Sequence, residues 1–454
     1  MGRKIILEHD HVPGLKNYDV YRGLGGYRSV EKALKSMSPE EVVDEVKKSG
    51  LRGRGGAGFP TGMKWSFIAK PEGVPRYLLC NADESEPGTF KDRYMMEFNP
   101  HFLIEGMICS SYALGCNTAY IYIRGEYKFI IKILDKAIQE AYAAGFLGKN
   151  ILGSGFDLNL YVHTGAGAYI CGEETALIES LEGKRGNPRM KPPFPAVSGL
   201  YGCPTVVNNV ESLAVVAWIV MNGGEEYAKI GLERSTGTKL ISASGNIKKP
   251  GVYEIELGIT VEEFMYSDEF CGGMQYPDRD LKAVVAGGSS VPILPKELIL
   301  KTATGADRLM TYESLAEGGF QTGTMLGSGG FIVYDEAQCI VRNTWNFARF
   351  YHHESCGQCS PCREGTGWLE KVLNRLEHGS GRQEDIDLLL DITKKIEGNT
   401  ICPFGDAASW PVASAIRHFR HEFEYHVKYA DKVKNREHFA AEPMRLFVNE
   451  FVKS

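Results

Sequence analysis

Long apolar runs are missing from this sequence. The longest of them, residues 213–221, falls well short of the ~20 residues that a membrane-spanning helix needs. The opening stretch, Met-Gly-Arg-Lys-Ile-Ile-Leu-Glu-His, lacks the apolar core of a secretory signal, so membrane association is expected only through partner subunits. Charge of one sign is equally scarce. Lys and Arg number 51 against 57 Asp and Glu, interspersed, and the resulting net charge of -6 gives no reason to expect nucleic acid or an anionic membrane surface as partner. Cysteine is too sparse for a disulfide scaffold: eleven in 454 residues, an odd count, fits a reducing cytoplasmic setting. That length exceeds what one core usually organises, and two to four domains are expected.

What the sequence does have is a concentration of thiols. His353-Glu-Ser-Cys356-Gly-Gln-Cys359-Ser-Pro-Cys362 places three cysteines at two-residue intervals, and Cys402-Pro403 follows far downstream. Three closely spaced thiolates can wrap one corner of a cubane, and a remote cysteine followed by proline completes the ligand set of a [4Fe-4S] site. Zinc is the rival, although structural zinc more often takes two separate C-x-x-C pairs. Neither His352 nor His353 is needed as a ligand when four cysteines are present. Of the others, Cys80, Cys109, Cys116, Cys203, Cys271 and Cys339 read as small buried residues, and Cys171 lacks a base that would make it a nucleophile. A [4Fe-4S] centre takes one electron at a time, so the remainder of the chain is expected to supply electrons.

Residues 38–50 predict a helix with Ser38 as N-cap, proline in the first turn and a terminal glycine. It runs into Gly53-Arg54-Gly55-Gly56-Ala57-Gly58-Phe59-Pro-Thr-Gly62-Met-Lys64-Trp65. These glycines satisfy G-x-G-x-x-G, but a helix precedes them where the dinucleotide fingerprint requires a strand. A phosphate-binding loop flanked by the positive charge of Arg52, Arg54 and Lys64 competes here with a plain flexible turn. A strand-like run over 76–80 then opens onto Asn81-Ala-Asp83-Glu84-Ser85-Glu86, whose acids are placed either to accept hydrogen bonds from ribose or ribityl hydroxyls or simply to face water. Helices over 100–114 and 127–144 alternate with strands over 118–123 and 158–163, which argues for an α/β layer on a largely parallel sheet.

A second glycine-bearing turn leads through Tyr169-Ile-Cys171-Gly172-Glu173-Glu174 into a helix, where the two acids favour the helix dipole with or without a ligand. Lys191-Pro-Pro-Phe194-Pro forms a stiff loop, and Val207-Asn208-Asn209 precedes a further helix. Phe59, Phe67, Tyr169 and Phe194 could stack on flat rings, although each taken alone suits a core equally well. From Lys239 the pattern is hairpin, short helix near 261–266 and strand over 282–288, suggesting a β-grasp (ubiquitin-like) domain. Beyond about residue 335 it is helical, over 336–351, 364–378, 384–397 and 408–429, which places the thiols at one end of a helical bundle. The expected division is 1–61 as an N-terminal segment with the glycine loop, 62–235 as a Rossmann-like α/β domain, 236–330 as the β-grasp and 331–454 as the bundle.

Taken together these motifs resemble the NADH-binding flavoprotein subunit family of respiratory complex I, the bacterial F subunit or 51 kDa family, over nearly the whole chain. The resemblance implies an NADH dehydrogenase with non-covalent FMN held by Gly53, Gly55, Lys64, Asn81, Asp83, Ser85, Gly172, Glu173, Val207, Asn208 and Asn209, with Arg54, Gly56, Ala57, Gly58, Gly62 and Glu84 in the same surroundings. It implies NADH between Phe59, Phe67 and Phe194 at the adenine, Lys191 along its length, and Glu86, Tyr169 and Glu174 as catalytic residues. Cys356, Cys359, Cys362 and Cys402 would ligate the [4Fe-4S] cluster. NADH gives up two electrons together and a cluster accepts one, so a flavin is the converter such a chain requires. The implied partners are the E and G subunits of that complex, a [2Fe-2S] protein and a large iron-sulfur protein, in a peripheral arm on the cytoplasmic face that passes electrons to quinone. Related modules serve NAD-linked hydrogenases, formate dehydrogenases and electron-bifurcating complexes, often with extra cysteine clusters at either end. None stands in this sequence. A flavin-free electron-transfer or zinc-stabilised scaffold is the rival from another class.

Overall fold

Residues 2–435 are described by the computed structural model of the chain. They divide into two units, the first comprising residues up to 85, 89–241 and 252–258, the second 86–88, 242–251 and the chain from 259 on.

In the first unit, α1 (Tyr18–Gly23) and α2 (Arg28–Ser36) precede α3 (Pro39–Lys48). Ser38 and Glu41 close a reciprocal capping box at the start of α3, with Pro39 in the first turn where its missing N–H costs nothing. The glycine loop joins α3 to α4 (Thr61–Ser66). Four strands follow, β1 (Tyr77–Ala82), β2 (Thr118–Ile123), β3 (Asn159–Thr164) and β4 (Thr205–Asn209), and with them α5 (Lys91–Phe98), α6 (Pro100–Leu114), α7 (Lys128–Ala143), α8 (Glu174–Leu181) and α9 (Val210–Asn222). All strand pairs are parallel in the order β3-β2-β1-β4. The chain therefore steps outward from β1 to β3 and returns on the other side of β1. Order reverses between β1 and β4, with Asn81 level with Asn209, and the carboxyl edge at such a reversal is where open parallel sheets bind ligands.

Helices α6 and α9 are mostly apolar and almost wholly buried, with Glu105 and Glu211 among their buried side chains. They approach so closely that a Cβ on Gly106 would lie 2.0 Å from the Leu213 carbonyl oxygen. The unit continues through α10 (Gly224–Ala228) and a two-stranded antiparallel ribbon of β5 (Gly231–Leu232) and β6 (Ser235–Thr236).

Strand β7 (Thr238–Gly245) carries the chain into the second unit and β8 (Gly251–Glu256) carries it back. The chain then makes α11 (Val261–Tyr266), β9 (Leu281–Ala286), β10 (Ile293–Pro295), the short helices α12 (Lys296–Leu300), α13 (Tyr312–Ala316) and α14 (Gly319–Thr322), and β11 (Gly330–Asp335). The sheet order is β10-β9-β11-β7-β8, with β9 antiparallel to both its neighbours and β11 parallel to β7. Last come α15 (Ile340–Glu354), α16 (Ser360–Glu377), α17 (Gln383–Ile396), α18 (Phe404–Lys428) and α19 (Ala430–Lys434). The expected helix over 408–429 begins four residues earlier, because Pro403 and Phe404 open it directly after Cys402. The expectation that the last division extends to 454 reaches past the described residues. Among those residues no helix is long and apolar enough to cross a membrane.

Candidate cofactor sites

In the first unit, the glycine loop and α4 fold back onto the carboxyl end of β4 and together contact three successive residues there. A Cβ on Gly55 would sit 2.9 Å from the Asn209 Cβ, so only glycine lets the loop lie so close. Trp65 Nε1 donates to Asn208 Oδ1 at 2.9 Å, and Lys64 Nζ donates to the Val207 carbonyl at 2.8 Å. A loop that precedes the sheet in sequence is thus brought to its ligand-binding edge. On neighbouring β1, Asn81 Nδ2 donates to the Gly172 carbonyl at 2.8 Å and Ser85 Oγ donates to Asp83 Oδ1 at 2.8 Å, which draws the second glycine-bearing turn to the same edge. Tyr169 and Gly172 bound the 3-10 turn that enters α8.

The three cations that flank the loop are held in different ways. Arg54 is fully buried, and its guanidinium donates inward to the carbonyls of Arg52, Thr236 and Thr238 and to the Tyr227 hydroxyl. The guanidinium of Arg54 thus holds the loop down from behind, through three interior carbonyls and one hydroxyl. Arg52 Nε donates to the Gly58 carbonyl at 2.6 Å and clasps the loop shut. A phosphate at this edge is therefore left to backbone N–H groups of the loop, in which Gly55 and Ala57 are exposed. Gly62 is buried against α3, where a Cβ would meet Lys47 at 2.7 Å, so helix packing already demands glycine there.

Glu173 caps α8, its carboxylate accepting the Thr175 and Ala176 N–H groups at 2.8 and 3.0 Å as well as the Thr175 hydroxyl. Glu174 is held otherwise. Lys64 Nζ lies 2.9 Å from one of its oxygens and Lys191 Nζ 2.6 Å from the other. Burial alone would raise its pKa, but the two ammonium groups outweigh that and hold the carboxyl below its ordinary range, while Lys191 is raised against its own burial by Glu174 and then Glu173. Phe59, Phe67 and Phe194 are 47%, 57% and 57% exposed, which rules out the core alternative for them, and Phe59 and Phe67 lie 6.4 Å apart at a tilt. An exposed ring pair such as Phe59 and Phe67 suits a flat aromatic ligand.

Two expected residues are engaged elsewhere. The Glu84 carboxylate accepts the Asp92 and Arg93 N–H groups at 2.7 and 2.9 Å at the start of α5, and burial with Asp92 alongside pushes it up to about 7. Glu86 belongs to the second unit, where it accepts the Ser290 N–H at 2.7 Å.

Also in the second unit, the cysteine loop joins α15 to α16. Cys359 is the N-cap of α16, Cys362 lies in its first turn, and the Ile401 N–H donates to Cys359 Sγ at 3.3 Å, which brings the turn bearing Cys402 to the same loop. Burial pushes the Cys362 thiol up to about 11, with Cys356 and Cys359 close enough to add to the rise. Four soft donors carried by one loop and the turn brought to it fit an iron-sulfur cluster, whose charge would reverse that rise. Both neighbouring histidines are turned to carboxylates, His352 to Glu370 at 3.5 Å and His353 to Glu354 at 2.9 Å. The remaining cysteines are buried except Cys203, which is half-buried. Cys339, Glu377 and His426 also gather, but Cys339 Sγ and the Leu376 carbonyl already occupy the two imidazole nitrogens of His426 at 3.3 and 3.2 Å.

Sequence reasoning missed Trp65 as a partner of Asn208 and missed the buried charges behind β4. Trp65 stands inside the glycine motif, whereas the buried lysine Lys239 carries no local signal at all.

Comparison with known proteins agrees with this geometry. Residues 46–218 match the model of the Nuo51 FMN-binding domain, and residues 342–426 match that of the NADH-ubiquinone oxidoreductase-F iron-sulfur binding region. The chain is 51% identical over 428 residues to the second NADH-quinone oxidoreductase F subunit of Rhizobium meliloti, covering 94% of this chain and 98% of that one. It is 53% identical over 397 residues to the NADH-quinone oxidoreductase F subunit of Rickettsia felis, covering 87% and 91%. Among solved structures it is similar to an NAD+-reducing [NiFe]-hydrogenase in the H2-reduced state, with a TM-score of 0.79 and 34% identity over 94% of this chain and 67% of that one.

Proposed function

The chain belongs to the F-subunit family of NADH-quinone oxidoreductases, and from that premise we propose how its residues divide the work. It is the NADH-oxidising flavoprotein subunit of a multi-subunit enzyme, with FMN and a [4Fe-4S] cluster as cofactors. FMN, when bound, would supply a centre that takes one hydride, with its two electrons, from NADH and passes those electrons on singly, as a cluster requires.

The observation that carries the assignment of residues is the convergence of the glycine loop, Asn81 to Ser85 and Val207 to Asn209 on the reversal point of the parallel sheet. There the loop backbone from Gly53 to Gly58 receives the FMN phosphate and Asp83 accepts from the ribityl hydroxyls. Phe59, Phe67 and Phe194 receive the adenine of NADH. Lys64, Glu174 and Lys191 form a charged rail for the nucleotide, and Tyr169, Gly172 and Glu173 complete the surroundings. Catalysis here is positioning: a hydride needs no side-chain acid or base. Cys356, Cys359, Cys362 and Cys402 ligate the cluster.

The finer division into an N-terminal segment, a nucleotide domain, a β-grasp domain and a helical bundle is part of the same proposal, as are the E and G subunits as direct partners and a location on the cytoplasmic face. Likeness to the hydrogenase does not shift the reading, since relatives matched over 98% and 91% of their own length are named as F subunits of NADH-quinone oxidoreductase. Flavin released by acid should be FMN, and the chain alone should reduce ferricyanide with NADH. FAD in that extract would put the assignment of Phe59, Phe67 and Phe194 to the adenine of NADH in error.

A further inference from the structure

Behind the edge just described lies a buried group of charges with no contact of its own to make with a nucleotide. Lys91, at the start of α5, is 1% exposed. Its ammonium lies 2.7 Å from Asp92 Oδ1, 2.7 Å from Glu211 Oε2 and 3.4 Å from Asn209 Oδ1. The other Asp92 oxygen accepts from Asn209 Nδ2 at 2.6 Å, and Asn209 Oδ1 also accepts the Glu211 N–H at 3.0 Å as the cap of α9. Both ends of the Asn209 amide are therefore committed to the protein. Glu211 reaches further, accepting the Leu240 N–H at 2.8 Å, while Lys239 Nζ donates to the Arg54 carbonyl at 3.1 Å and Ser212 Oγ accepts the Arg54 N–H at 2.8 Å. Gly55, next along, is the residue that rests on the Asn209 Cβ.

We propose that Lys91 is a positioning residue for the flavin loop: its ammonium, through Asp92 and Glu211, fixes the rotamer of Asn209 and so the surface against which Gly55 and the loop backbone are set. This rests on the reading of that loop as the FMN phosphate site. The physical argument is one of stakes. Burial alone would lower the pKa of Lys91, yet Asp92 and Glu211 more than offset it and keep the ammonium charged, and a charged, desolvated hub tolerates few alternative arrangements. Asn209 thus serves the flavin by shape, with its amide turned away from it.

The test compares the parent chain, Lys91→Met, and Lys91→Met combined with Glu211→Gln, which removes the carboxylate left uncompensated while keeping an acceptor for Leu240. FMN is titrated onto deflavinated protein, thermal unfolding is followed, and the paramagnetic signal of the reduced cluster reports on the second unit. Lys91→Met should weaken FMN binding about tenfold or more, the size expected on losing a charge-assisted contact, and blur the fine structure of the bound flavin's visible band. The double variant should recover most of the thermal stability but not the FMN affinity or the spectrum. Recovery of affinity and stability together would overturn the proposal, since Lys91 would then only balance a buried charge. Unaltered FMN affinity in Lys91→Met would overturn it as well. A parent chain that takes up no FMN would instead bring down the reading of the loop, and this inference with it.

Discussion

The nucleotide edge and the cysteine loop, as proposed, would hold their cofactors by different means. At the first, the FMN phosphate would meet backbone brought to a sheet edge, and the side chains that set that backbone, Arg54, Trp65, Lys91 and Glu211, are buried in the interior. At the second, four side chains would themselves be the ligands, and the local fold need only deliver a loop and a turn to one place. A site built from side chains fails when one of them is changed. One built from backbone fails when the packing beneath it is changed.

The largest expected effect follows at the cysteines. Serine at any one of Cys356, Cys359, Cys362 or Cys402 should abolish the normal signal of the reduced cluster while bound FMN stays at the parent level, as anaerobic spectroscopy would show. Loss of flavin as well would break the contrast between the two sites. Gly55→Ala should do the reverse, because its Cβ would lie 2.9 Å from Asn209 and force the loop off β4. Overpacking of this kind costs about 1–3 kcal/mol, read here as weaker FMN binding with the cluster signal intact.

Glu174→Gln sharpens the comparison within the nucleotide edge. The carboxylate now neutralises Lys64 and Lys191, so its loss leaves two ammonium groups to attract the 2'-phosphate of NADPH and removes an acceptor for the ribose hydroxyls of NADH. NADH should weaken by about 1.5–3 kcal/mol and NADPH turnover should rise. Equal loss with both nucleotides would show that the residue acts on flavin placement instead.

The last effect concerns stability alone and falls on Lys239, lowered from 10.5 to about 7 by burial, with Lys91 and Arg54 adding to the fall and Glu211 and Asp92 opposing it. Between those two pH values the unfolded chain holds a proton that the folded chain has released. Folding stability should therefore rise with pH across that window by about 1.4 kcal/mol per unit from this one group, and be flat in its contribution below it. Subtracting the unfolding free energies of Lys239→Met from those of the parent at several pH values isolates that slope. A difference independent of pH would mean Lys239 stays charged in the fold.

Much of this was legible in the sequence where the signal is local. Ser38, Pro39 and Glu41 announce α3, periodicity places α6 over 100–114, and C-x-x-C-x-x-C shows its chemistry in its spacing. Other features depend on contacts remote in sequence. An arginine between glycines reads as a phosphate ligand until the carbonyls of Thr236 and Thr238 are seen to claim it. Lys239 sits in a strand where a lysine ordinarily faces water, and the carboxylates of Glu211 and Asp92, brought in by α9 and α5, offset part of the cost of its burial. Glu86 stands one residue from Ser85 yet belongs with Ser289 and Ser290, which no periodicity could reveal.

One measurement bears most directly on the chain as the flavin-to-cluster converter: anaerobic NADH added to freshly purified protein, with flavin absorbance, iron content and the paramagnetic signal of the cluster followed together. The account predicts FMN that bleaches on addition of NADH and a reduced [4Fe-4S] signal that appears with it. Stoichiometric zinc without iron, or a flavin that stays oxidised in the presence of NADH, would contradict it.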